Sequence, residues 1–342
     1  MKNKFIYIRF IVLILLVVSL MITAYADEYV QQENDYITEN INALNIVLDK
    51  KGTFWYMPHQ IPLTFLSNED KNIIFKYKLY SETDLELKDT RENYQIVWDY
   101  WYYKTENATG VAGLMGNIRV ESNFNANNLQ GIYEQHFGMS DESYTSAVDN
   151  GTYTNFIYDN AGYGLVQCTY WKMKERLLNF AQESKTSVGD IYMQLDFLYN
   201  ELSYFYPVCF NVISNANSIR ESSNSVLMEF ERPSDQGIAV QNERTKYGNT
   251  FYNSCIKRCD ILDGIKKDIK QQISTATDRI EVLNINYTLQ SQWSSFLTDF
   301  YKQKNPPFKT GDFCYFIRKG FPASLRQEYI LSFAFANVSM RW

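Results

Sequence analysis

The stretch Asn107-Ala-Thr-Gly-Val-Ala-Gly-Leu-Met-Gly-Asn-Ile-Arg-Val-Glu-Ser-Asn-Phe-Asn125 decides how the rest of the chain is read. Val111, Leu114, Met115 and Ile118 recur at three- and four-residue spacing, the signature of one buried helix face. Glycines space this pattern, and after Glu121-Ser122 it breaks into an Asn-rich loop. Glu121 lies three residues beyond Ile118, so it projects near the buried face at the C-terminal end of the helix. The negative end of a helix dipole and partial burial both disfavour a charged carboxylate there. A carboxyl in that setting suits general-acid work near neutral pH.

Other segments follow in a telling order. Tyr163-Gly-Leu-Val-Gln-Cys-Thr169 comes first, then Gln194-Leu-Asp-Phe-Leu-Tyr-Asn-Glu-Leu202, Phe230-Glu-Arg-Pro233, and the stretch from Arg244 to Tyr252. Together with Gly116–Asn125 they resemble the phage tail lysozyme family over roughly residues 89 to 255. These are muramidases of the wider lysozyme and lytic transglycosylase superfamily. Cys168 departs from the pattern, standing where the family often has an aromatic residue.

The resemblance implies an α+β fold that is mostly α. It would be a lysozyme-like domain with a small β-element beside the catalytic helix, plus flanking helical regions. It also implies cleavage of the β-1,4 bond between N-acetylmuramic acid and N-acetylglucosamine, with Glu121 protonating the leaving oxygen. The transition state is then oxocarbenium-like. A hydrolase needs help in delivering water, and Asp159, just before Tyr163-Gly164, is the best second carboxylate. Glu134, Asp141 and Asp149 are alternatives from the same segment, and a turn-forming role for Asp159 competes with the catalytic one. A lytic transglycosylase uses the muramic acid 6-hydroxyl instead and needs no second carboxylate. Substrate contacts implied by the resemblance fall on Ser122, Tyr163, Gly164, Gln167, Thr169 and Tyr247. Several have a plainer reading: Ser122 bonding its own helix, Tyr163 as core, Thr169 capping a helix that starts near Tyr170. The chemistry requires no cofactor and no metal.

Composition bounds the partners. The chain has 342 residues, 45% of them hydrophobic, with 27 tyrosines and a formal charge of −6. Residues 1–26 read as an export signal. Lys2, Lys4 and Arg9 precede the apolar run Phe10–Ile22, and Ala24-Tyr25-Ala26 makes a cleavage site. That run is short for a membrane span, so no stable span is expected after cleavage. Without the signal, Lys and Arg fall from 33 to 30 against 39 acids, leaving −9. Such a chain is a poor nucleic-acid binder. Its expected partner is the glycan strand of peptidoglycan. An envelope-spanning conjugation or phage-type assembly is a further partner, and the expected location is outside the cell or in the wall.

The domains expected are the signal (1–26), an N-terminal appendage (27–88), the lysozyme-like domain (89–255) and a helical C-terminal region (256–342). The Ile37, Ile41, Leu44 and Leu48 spacing predicts an amphipathic helix over 36–49. The aromatic Phe54–Pro62 predicts an ordered loop or short extended piece. Helices are predicted to begin near Asp89-Thr90 and to cover 172–184, 190–204 and 222–231. A long amphipathic one is predicted from Asp260 to Leu289. The five cysteines, Cys168, Cys209, Cys255, Cys259 and Cys314, are an odd number and need not pair. Two rivals remain for the function. A cysteine peptidase built on Cys168 is disfavoured because both histidines, His59 and His136, precede it. A non-catalytic wall-binding component of an envelope-crossing machine would have no use for the acid.

Overall fold

A computed structural model describes the backbone of residues 44–302 and the side chains of residues 44–282. Residues 44–281 lie in one compact unit. The expected signal, most of the 36–49 helix and Cys314 lie outside the described residues.

The class is α+β and mostly α, with eleven α-helices and one small sheet among the described residues. The sheet comes first in the chain. Its strands are β1 (Ile46–Leu48), β2 (Phe54–Tyr56), β3 (Ile61–Pro62) and β4 (Ser81–Glu82), in the order β3-β2-β1-β4. β1 pairs antiparallel with β2, Ile46 opposite Tyr56, and parallel with β4. Part of the predicted 36–49 helix is therefore strand. The reason is the turn that follows: Asp49 accepts hydrogen bonds from the Lys51 and Thr53 amides and from Trp55 Nε1, folding β2 back on β1. Pairing with β2 and β4 overrides the helical spacing, as tertiary context often does. Helix α1 (Asn68–Tyr77), capped by Ser67, connects β3 to β4.

The remaining helices are α2 (Asn93–Thr105), α3 (Ala108–Ser122), α4 (Gly131–Phe137), α5 (Asp141–Asp149), α6 (Trp171–Ser184), α7 (Ile191–Phe205), α8 (Pro207–Asn215), α9 (Ile219–Ser225), α10 (Ile238–Cys255) and α11 (Arg258–Lys302). A π-helical stretch, Val226–Glu231, extends α9. α2 starts at Glu92, in a capping box with Gln95, rather than at Asp89 or Thr90. Asp89 instead pairs with Arg91. Proline at the first position of α8 begins a helix not anticipated from the periodicity. Along α11, Leu262, Ile265, Ile269 and Ile273 are buried, as their spacing predicts.

α3 lies at the centre. Residues Gly110 to Ile118 are all buried, and three glycines on it admit three other helices. A Cβ on Gly110 would sit 1.7 Å from the Ile213 carbonyl oxygen of α8. One on Gly113 would sit 2.5 Å from Ser222 of α9, and one on Gly116 would sit 2.2 Å from the Arg244 carbonyl oxygen of α10. Backbone-to-backbone packing of this kind fixes α3 without intervening side chains.

The segment 123–162 carries α4, α5 and one end of a single antiparallel bridge, Leu129 to Tyr163. The small β-element expected beside the catalytic helix is reduced to that bridge, while the four-stranded sheet belongs to residues 46–82. Local capping explains the helices: Ser140 and Ser143 form a capping box at α5, and Gly138 ends α4 in the left-handed region.

Candidate active site

α3 ends abruptly. Asn123 and Phe124 both adopt positive φ, 51° and 64°, an unusual conformation for a bulky residue and one that costs energy unless held by its surroundings. It is held: the Phe124 ring lies 4.9 Å from Phe251, and Asn93 Nδ2 donates to the Phe124 carbonyl at 2.9 Å. The turn leaves Glu121 at the helix end with its side chain 21% exposed.

Two groups lie near that carboxyl. Arg244 of α10, its side chain buried, donates from Nη2 to Glu121 Oε1 at 2.8 Å. Glu231, the last residue of the π-helical stretch, lies near enough for its carboxyl to feel the Glu121 charge. Its Oε1 is buried without a partner, as is Arg244 Nε. Burial, then the neighbouring Glu121 charge, hold the Glu231 carboxyl well above the usual carboxylate range, and Arg244 offsets part of this. π-Helical insertions are rare and frequently found at functional sites. Here the insertion ends in a left-handed Arg232 (φ 51°) before Pro233.

Ser122 faces the other way. Its hydroxyl donates to the Leu165 carbonyl at 2.8 Å, tying the acid-bearing helix to the segment 163–169. That segment is fixed from behind by Gln194 of α7. Its Oε1 accepts from the Leu165 amide, and its Nε2 donates to the Ala126 and Val188 carbonyls. Gly164 has φ 80°, and a Cβ there would lie 2.6 Å from Gln194 Oε1. Gln167, half-buried, spends its Nε2 on the Asn128 and Gly164 carbonyls. Thr169 is exposed, and α6 begins at Tyr170 with no side-chain cap, so the capping role anticipated for Thr169 is not the one it takes. On α10, the half-buried Tyr247 ring carries the Arg119 guanidinium at 5.1 Å, on the same α3–α10 contact as the Glu121–Arg244 pair.

Four of the expected site residues are buried: Ser122 and Gly164, already described, and Tyr163 and Asp159. Tyr163 is fully buried among Tyr144 and Phe156, and its hydroxyl is 2.6 Å from that of Thr145. Asp159 is buried too. It pairs with Lys174, whose side chain is wholly inaccessible, and also accepts from Tyr144, Tyr153 and the Ala161 amide. Asp141 and Asp149 hold loop amides, those of Leu129 and Val188. The residues that periodicity and resemblance left without a role are Glu231 and Arg244. Both stood inside segments quoted for their likeness, and the signal for them is a carboxyl closing a helix before Arg-Pro.

The four described cysteines are free and buried. Burial pushes the Cys168 thiol up to about 12, so it carries no thiolate at neutral pH and cannot serve as a peptidase nucleophile.

A mostly helical domain, built round a glycine-faced helix that ends in a paired carboxyl, is the class that these observations define. Residues 92–254 match the model of the phage tail lysozyme family. The match covers just under half of the chain, and likeness to that family supports a lysozyme-like, peptidoglycan-acting function of the glycosidase or transglycosylase kind. Searches of curated proteins and of solved structures returned no match.

Proposed function

We propose that the protein is an exported peptidoglycan glycosidase that cleaves the bond between N-acetylmuramic acid and N-acetylglucosamine, with Glu121 as general acid. The observation that carries this reading is the setting of Glu121. It is partly open to solvent at the end of a rigid helix, anchored by a buried Arg244 and backed by the buried Glu231 carboxyl. Support for a glycan substrate comes from exposed rings beyond the Ser122-bound segment. Tyr158, Tyr170 and Trp171 are all exposed, with ring centroids 6.1–6.3 Å apart along the pairs that meet. Flat amphipathic rings of this kind suit pyranose faces. Export rests on the character of residues 1–26, and the acidic charge points to the cleft or a partner assembly for wall targeting.

A second reading keeps the acid and changes the nucleophile. Asp159 is spent on Lys174, two tyrosines and an amide, and the Glu231 carboxyl is buried. Neither is placed to activate water across the sugar, which favours attack by the muramic acid 6-hydroxyl. Digestion of purified peptidoglycan with mass spectrometry of the products separates the two. Reducing muramic ends identify a hydrolase, and anhydro-muramic ends a lytic transglycosylase. Glu121→Gln, with an unchanged circular dichroism spectrum, should lower the rate by about 10²–10⁴-fold, the usual worth of a general acid. Cleavage by Glu121→Gln at the parent rate would refute the assignment. No cleavage by either protein would favour a wall-binding role.

A further inference from the structure

We propose that the cavity between residues 65–71 and helices α2, α7 and α11 binds a short peptide ending in a free carboxylate, held by Lys71 and Lys104. That such a peptide comes from the cell wall rests on the peptidoglycan substrate proposed above; the chemistry of the pocket does not depend on it.

The cavity measures about 730 Å³, within the range of pockets that enclose a small ligand. It is built from both sides of the boundary of the family match. Tyr100, Tyr103 and Lys104 of α2 lie within residues 92–254, whereas Phe65 and Lys71 lie outside them. The chain before α2 thus completes a hollow on the matched helices. The walls are aromatic: Phe65, Tyr100 and Tyr103 are buried, and the Phe65 ring meets both tyrosines.

Two cations stand among these rings without a counter-ion. The Lys104 ammonium lies 5.5 Å from the Tyr100 ring centre and 5.3 Å from that of Tyr199 on α7. Neither Lys104 nor Lys71 has an ion-pair partner among the described residues. Asp196, which also lines the cavity, accepts from the Tyr100 hydroxyl at 2.6 Å. Lys266 of α11 is already engaged, donating to the Tyr103 carbonyl at 2.9 Å and pairing with Glu106. Burial pushes the Lys104 ammonium down to about 8, although Asp196 pulls it back, and it lowers Lys71 in the same way. A bound anion would offset that burial for both.

A separate observation points to a ligand. The Tyr103 hydroxyl is buried with no hydrogen-bond partner, on a residue only 4% exposed. A buried hydroxyl left unpaired is costly, and a polar ligand in the cavity would supply the partner.

The lining also discriminates among anions. Glu69 and Asp70, in the first turn of α1, belong to it. Glu69 is exposed, whereas Lys104 is half-buried. A polymer with a negative charge on every unit would meet these acids as well as the lysines, and like charges repel. A ligand with one terminal carboxylate and an apolar body reaches the lysines and lays its side chains on the rings. The Asn68 and Asn200 amides in the lining both donate and accept, which suits a peptide backbone. Peptidoglycan is a glycan cross-linked by short peptides, so it carries this class of ligand. No residue of the Glu121 site lines the cavity, and glycan cutting and peptide holding fall on separate residues.

The test is isothermal titration calorimetry of the full chain with peptides released from purified peptidoglycan by an amidase, before and after their carboxylates are converted to methylamides. The free peptides should bind one per chain, and equally well to Glu121→Gln. Binding should weaken about tenfold or more for the methylamides, and for the free peptides with Lys104→Met or Lys71→Met, as a charge-assisted hydrogen bond is lost. No binding by the parent, equal binding of the methylamides, unchanged affinity in either lysine variant, or loss of binding in Glu121→Gln would overturn the proposal. Displacement of the peptides by an equal concentration of inorganic phosphate would also overturn it, making the pocket a phosphate site. The methylamide comparison uses the parent protein alone, so it decides the matter even where a lysine variant fails to fold. Peptide binding without glycan cleavage would sink the functional reading and leave the pocket standing. Cleavage without peptide binding would do the reverse.

Discussion

Asp159 shows how a residue's neighbours decide its chemistry. Lys174, wholly buried and with its ammonium 4.5 Å from the Phe156 ring centre, has Asp159 as its counter-ion. Burial pushes this lysine below its ordinary value and Asp159 pulls it back. Asp159→Asn removes the counter-ion and leaves the ammonium buried, a change that costs about 3–5 kcal/mol. Urea unfolding should show that loss, while the folded fraction keeps its kcat. Unchanged stability with a collapsed kcat would instead make Asp159 the second carboxylate. In the sequence, Asp159 reads as a cleft-edge group because it precedes Tyr163-Gly164. Its burial is set by Tyr144 and Lys174, 15 residues away on either side, and no local pattern records such a pairing. Glu231 was hidden for the same reason. Phe230-Glu-Arg-Pro is legible as a segment, but the burial of the Glu231 carboxyl depends on a π-helical register that spacing does not reveal.

At the scale of elements, the apolar spacing of α3 was fully legible, since Val111, Leu114, Met115 and Ile118 are all inaccessible. The role of its glycines was not. They look like weak points in a helix, yet each marks the place where another helix backbone comes close. Gly116→Ala tests this. Its methyl would meet the Arg244 carbonyl at 2.2 Å, and backbone cannot give way as a side chain can. α3 and α10 must separate, at about 1–3 kcal/mol for overpacking, and Arg244 moves with its helix. A lower melting temperature together with a fall in kcat is expected. Loss of stability alone would mean that Arg244 does not position Glu121. Short strands were the least legible elements. β1 and β4 are three and two residues long, and pairing partners rather than propensity determine such strands.

Across the whole molecule, residues 44–88 are built into the domain rather than appended to it. Leu63, Phe65 and Leu66 are buried, and the Phe65 ring meets Tyr100 and Tyr103 of α2 at 5.3 and 5.6 Å. Tyr56 bonds to Asp268 of α11. From sequence the segment was an open question, because its partners are aromatic residues in a helix that already had an apolar face to bury. A chain starting at residue 89 would expose that surface, forfeiting roughly 1.5–3 kcal/mol for each large side chain removed from its site. At about 2–4 °C per kcal/mol, its melting point should fall well below that of the full chain in a calorimetric scan. Equal melting points would make residues 44–88 a passenger. The order of the chain matters in another way. Arg244 follows Glu121 by 123 residues, and Glu231 lies between them. A nascent chain holds Glu121 long before it holds its ion-pair partner Arg244. On the activity proposed above, cleavage would wait on the folding of α10, which brings Arg244 to Glu121.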